Sequence, residues 1–253
     1  MNLTYTGLEL RRVARDLVSM FFIAVLPAFF YVIFGASMSY GSEPVGNGNA
    51  ALYVMIAMAA YGAVTATTGV GGMAAVERMQ GWGRQLGLTP MSDGQYVVIK
   101  GVVALVISAV PITLIYILGF FTGAEGSGAA WFLSAVVVVA GAAVFSLYGL
   151  LAGLLFRTEA AVGAASGSLV VLAFLGNIFF PLSGTMLTIA TFTPLYGYVA
   201  LARYPLTGGE VVSTTGEAAA VQPLWMPAVN LVVWGIVFAL LCTWLVRRGR
   251  GRQ

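Results

Sequence analysis

The sequence predicts an all-α integral membrane protein, a single transmembrane domain over residues 1–253 with six transmembrane helices. Three observations carry that reading. The chain is 60% hydrophobic and 8% charged, with a mean hydropathy of +0.94, whereas soluble domains carry about 25% charged residues. Six apolar runs are free of charge and long enough to cross the roughly 30 Å hydrocarbon core. The basic residues fall almost entirely on one side of those runs.

The six runs are Leu17–Met38, Ala50–Met73, Val102–Thr122, Ala129–Phe156, Ala160–Phe180 and Leu224–Val246. A charged residue at a helix centre costs about 2.5–3.5 kcal/mol to insert, so clean runs are what spans require. The first run is too long for the apolar region of a cleavable signal. With both termini cytoplasmic, eleven basic and five acidic residues lie inside, for +6, against one basic and four acidic outside, for −3. That asymmetry orients the chain in a bacterial-type plasma membrane. Pro181–Ala202 is long enough for a seventh span, but a seventh crossing would put Arg247, Arg248, Arg250 and Arg252 outside. Its two prolines and its Ser/Thr content predict broken helices in an outer, re-entrant region, 181–203.

Around the first span, Thr6-Gly7-Leu8-Glu9 has the form of a capping box. The helix it would start carries Leu10, Val13, Ala14 and Leu17 on one face and Arg11, Arg12 and Arg15 on another. This is the pattern of a helix lying on the inner membrane surface with its arginines among anionic lipid headgroups, and the same arginines help fix topology. The longest cytoplasmic loop, 76–100, holds five of the chain's twenty-one charges. It predicts a short helix from Glu77 that stops before Thr89-Pro90. A second capping box follows at Ser92-Asp93-Gly94-Gln95 and opens the third span. Trp82 and Leu86 share one face of the short helix, which suits a protein contact or an interfacial anchor.

These residues resemble the membrane subunits of the type-two class of ATP-binding-cassette exporters. The loop matches at Glu77-Arg78, Gly81-Trp82, Leu86, Thr89-Pro90, Tyr96 and Lys100. The matches continue in order at Arg15-Asp16, Pro27, Phe34-Gly35, Phe180-Pro181, Thr193-Pro194-Leu195, Arg203 and Gly208-Gly209. Met79 and Arg84 stand where that family often has acids. The resemblance implies a permease dependent on a separate ATPase subunit, with a second permease copy, identical or related. Glu77, Arg78, Gly81, Trp82, Leu86, Thr89 and Pro90 would then form the coupling helix seated on that ATPase. ATP and magnesium would bind the partner, and this chain would hold no cofactor. Spans two and five would line the path, making Tyr61, Thr65, Thr68 and Asn177 candidates, although Thr can equally bond its own backbone and Asn177 can bridge helices.

The sequence narrows the alternatives. The phosphate-binding loop G-x-x-x-x-G-K-S/T is missing around Lys100, the one lysine, so an ATPase must come in trans. No ionisable residue lies within a span, which disfavours a proton relay. With no histidine, the His-dependent catalytic motifs are excluded, and no nucleic-acid partner is expected. Gly149-x-x-x-Gly153 and Gly163-x-x-x-Gly167 predict close helix packing within the chain. The path carries no charged lining, which suits a hydrophobic or amphipathic drug, peptide or lipid. A six-span sensor or immunity protein that binds a partner without transport stays open, as does an intramembrane enzyme acting on lipid.

Overall fold

The computed structural model describes residues 3–77, 80, 93–156, 158–212 and 221–250. Eleven elements are used here. They are α1 (Leu3–Arg15), α2 (Leu17–Ala36), a small hairpin β1 (Pro44–Val45) and β2 (Gly48–Asn49), α3 (Ala50–Glu77), α4 (Asp93–Phe121), α5 (Gly128–Phe156), α6 (Glu159–Leu175), α7 (Gly184–Ala190), α8 (Pro194–Thr207) and α9 (Trp225–Arg250). Five helices (α2, α3, α4, α5 and α9) are long and apolar enough to cross a membrane, or six spans if α7 and α8 together count as one.

The bundle is built around α3. Its sequence is dominated by Ala, Gly, Thr and Met, and it is the least hydrophobic of the five long helices, yet 83% of its apolar window is buried against 17% for α9. Lipid is as apolar as any side chain, so helices associate in a membrane where small residues let backbones meet. Large apolar residues face outward instead, as Phe120, Phe121 and Phe132 do. The approach of α3 to α5 shows the rule directly. A Cβ on Gly71 would stand 2.0 Å from the Ser146 carbonyl oxygen, and one on Gly149 would stand 1.9 Å from that of Thr68. Gly153 faces Gly72 in the same way, so the first predicted glycine pair packs within the chain. The second does not: among the described residues nothing stands within 4 Å of a Cβ built on Gly163 or Gly167, and both are exposed.

Several helix ends differ from the sequence expectation. α1 is already helical at Leu3, so Thr6 lies inside the helix and turns into the protein with Glu9; it does not cap the start. At Asp16 the backbone leaves helical geometry, so Leu17 belongs to the next helix and is exposed, as is Ala14. The Asp16 carboxylate caps α2, accepting from the Ser19 backbone N–H at 3.1 Å and its hydroxyl at 2.6 Å. Those two bonds hold its carboxyl below the usual range. Within α2, widened π turns at Phe21–Val25 and Val32–Ala36 flank Pro27, which has no N–H to continue the ladder.

The largest revision concerns the fifth helix. α6 stops at Leu175 and does not run to Phe180; seventeen residues make about 25 Å, short of a full crossing. Gly176-Asn177 ends it, with Asn177 at φ 58°, a left-handed geometry that Asn tolerates better than most residues. The Asn177 side-chain oxygen then accepts from the Leu182 N–H at 2.8 Å, turning the chain toward α7. The following segment is broken as expected, with α7 and α8 bent by 95°. Thr193 caps α8 through its hydroxyl, and Gly208, at φ 63°, closes it.

Gly149→Ala should therefore destabilise the folded chain in detergent by at least about 1–3 kcal/mol, because backbone must separate to admit the methyl. Gly167→Ala should leave thermal unfolding of the protomer unchanged. Equal effects would place the close contact elsewhere.

Candidate functional site

Two polar clusters lie at opposite ends of α3. At its C-terminal end, Glu77 meets residues from α1 and α4. Lys100 Nζ is 2.7 Å from Glu9 Oε2 and 2.6 Å from Glu77 Oε2. Arg12 Nη1 is 2.6 Å from Glu77 Oε1 and 3.8 Å from Glu9 Oε1. The Tyr96 hydroxyl donates toward Glu77 Oε2 at 3.1 Å, with the Ala74 carbonyl at 3.3 Å.

The four charges sum to zero. Glu9, Glu77 and Lys100 are each below 8% exposed, while Arg12 reaches in from the surface. Burial discourages the phenolate of Tyr5 and raises its pKa, with Glu9 and Glu77 adding to the effect. For Arg12, desolvation opposes the charge, but Glu77 and Glu9 outweigh it and the pKa rises. A buried charge is tolerated when paired and hydrogen-bonded, and each member here has a partner of opposite sign.

The cluster sits at both anchors of residues 78–92. Glu77 is the last residue of α3, and Tyr96 and Lys100 lie in the first two turns of α4. α1 joins the same unit: Tyr5, Leu10 and Val13 pack against an apolar group that includes Ala66 and Val70 of α3 and Ile99, Val103 and Ile107 of α4. Of the residues expected to couple to an ATPase, Arg78, Gly81, Trp82, Leu86, Thr89 and Pro90 lie outside the described residues. Glu77 lies inside them and turns into the chain. Of the surface-helix arginines, Arg11 and Arg15 are exposed, while Arg12 serves the cluster.

The candidate path residues are packed within the protomer. Tyr61 is buried with its ring edge against Phe179. The Thr65 hydroxyl donates to the Tyr61 carbonyl of its own helix, and that of Thr68 to the Phe145 carbonyl of α5. Asn177 borders a cavity at the other end of the molecule. There Arg203 of α8 is buried at 4% exposure. It donates from Nε to the Tyr53 carbonyl at 3.2 Å and from Nη1 to the Asn177 carbonyl at 2.7 Å. Its guanidinium carbon lies 3.5 Å from the centroid of the Tyr53 ring.

Sequence reasoning named Lys100 and Arg203 only as motif positions and Glu9 only as a cap. In so lightly charged a chain, a charge bordering an apolar run was the signal that it needs a partner.

Lys100→Met leaves two buried carboxylates sharing Arg12 and should cost about 3–5 kcal/mol. Adding Glu9→Leu restores charge balance and should recover most of that loss. Thermal unfolding of the two variants checks this, and additive losses would show that the four charges do not act as a unit.

By its helices the chain is a multi-pass membrane protein. No family model matches it. A protein of Bacillus subtilis (strain 168) that carries the name "Putative transport permease YvfS" is 25% identical to it over 245 residues, 95% of this chain and 94% of the other. The chain is thus similar, nearly from end to end, to a protein named as a transport permease.

Proposed function

We propose that the chain is the permease subunit of an ATP-driven exporter of the ATP-binding-cassette type. It carries a hydrophobic or amphipathic drug, peptide or lipid outward across a bacterial-type plasma membrane. A separate ATPase subunit binds ATP and magnesium, and a second permease copy completes the path. The observation that carries this reading is the similarity to a transport permease along nearly the whole chain, in a chain with five helices long and apolar enough to cross a membrane.

The ion cluster supplies a physical route for coupling. One neutral, largely buried set of charges joins the end of α3 to the start of α4, the two helices that residues 78–92 connect in sequence, and also grips α1. A push on Trp82 or Leu86 would then shift the ends of α1, α3 and α4 together. Movement of packed helices as rigid bodies is the ordinary way such a push crosses a membrane protein. The uncovered face of α6, with Gly163, Gly167, Val170 and Val171 exposed, suits the second copy. Paired across that face, two protomers would bring Tyr61, Thr65, Thr68 and Asn177 near the substrate path.

The first test is purification from the native cell in mild detergent. A soluble ATPase should accompany the wild type and be lost from the folded Trp82→Asp, Leu86→Asp double variant. Failure to recover any ATPase after crosslinking would remove the exporter reading. Separately, Gly167→Trp should convert a permease dimer into folded monomers on size-exclusion with light scattering; an unchanged dimer would place the second copy on another face.

A further inference from the structure

We propose that the cavity at the N-terminal end of α3 is a binding site for the phosphate of a zwitterionic lipid headgroup, with Arg203 as its anion ligand. Among the described residues no carboxylate pairs with Arg203, whereas Arg12 and Lys100 at the other end have two each. Two backbone carbonyls and one aromatic ring face the guanidinium. Dipoles and a π face offset part of the cost of burying a cation, but the described residues supply no full counter-charge.

The guanidinium also has N–H groups to spare. Of its five, two donate to the Tyr53 and Asn177 carbonyls, and none of the other three is hydrogen-bonded to a described residue. Arg203 lines a half-open cavity of about 30 Å³ together with Tyr196, Tyr204, Glu210 and Gln222. That is room for about two water-sized atoms beside a planar fork. A phosphodiester presents two unesterified oxygens in the geometry such a fork accepts.

The rim selects the rest of the ligand. Glu210 is exposed at the cavity and is placed to meet an ammonium group. Gln222 and Pro227 carry the wall to the first turn of α9, where Leu224, Trp225 and Met226 expose apolar surface. Acyl chains can lie there while the two unesterified phosphate oxygens enter the cavity and the rest of the headgroup stays at its mouth. This apolar margin favours a lipid over free phosphate as the source of the anion. The site does not depend on the transport reading.

The test uses the full chain, delipidated in detergent, with thermal unfolding followed against three probes. These are dihexanoylphosphatidylethanolamine, inorganic phosphate, and dihexanoylglycerol, which lacks the phosphate. The phospholipid should raise the unfolding temperature saturably, phosphate should do so only at far higher concentration, and the glyceride should do nothing. Ala200→Leu fills the cavity wall while leaving Arg203 and its two carbonyl partners in place, and should weaken phospholipid binding at least tenfold. Glu210→Gln, a surface change that spares the fold, should weaken phospholipid but not phosphate. The proposal is overturned if neither phosphate-bearing probe stabilises the wild type, or if folded Ala200→Leu binds the phospholipid as the wild type does. Equal affinity for phosphate and phospholipid, or an unchanged Glu210→Gln, would overturn the lipid assignment.

Discussion

The architecture depends on the contact between α3 and α5, where backbone meets backbone. Gly71, Gly149 and Gly153 leave no space for a side chain between the two helices. Lipid offers apolar side chains as good an environment as protein does, so large residues gain little by turning inward. Close approach of small residues supplies dispersion contacts that lipid cannot match. This is why α3, with the lowest hydropathy of the long helices, becomes the centre, while the more oily α4 and α5 pack on it and α9 packs further out, against α5 and α8.

With α3 fixed at the centre, its two ends become the places where polar groups can be gathered. Glu77 at one end and the Tyr53 carbonyl near the other belong to the same 28-residue helix. The C-terminal cluster brings in α1 and α4 through Glu9, Arg12 and Lys100, and its charges cancel. The N-terminal cluster brings in α8 through Arg203 and the break after α6 through Asn177, and its charge does not cancel. The first arrangement resembles a fastening. The second leaves a cation beside a cavity, which is the condition for taking up an anion.

The break at Gly176-Asn177 also has a structural part in this. Asn177 accepts left-handed geometry, its side chain secures Leu182, and its carbonyl receives Arg203. Ending α6 there releases the chain to form the bent α7–α8 pair, and α8 then returns Arg203 to the N-terminal end of α3. A continuous fifth helix to Phe180 would carry the Asn177 carbonyl into its own backbone ladder and leave Arg203 with fewer partners.

The sequence by itself determined the fold class, because membrane insertion is decided by local composition. Uncharged runs of about twenty residues mark helices, and Pro181, Pro194 and the surrounding Ser/Thr mark the segment that could not be one straight helix. The Gly176-Asn177 stop was written there too, as a helix-ending pair, but the apolar residues after it concealed the signal. Only the tertiary structure decided which span is central, because that depends on which glycines meet: Gly149 found α3, while Gly163 and Gly167 found nothing among the described residues. It also decided that Glu77 turns inward and that Arg203 pairs with no carboxylate among the described residues. Glu9, Glu77 and Lys100 are up to 91 residues apart. Charge pairing over such distances follows from how helices pack, and no local pattern encodes it.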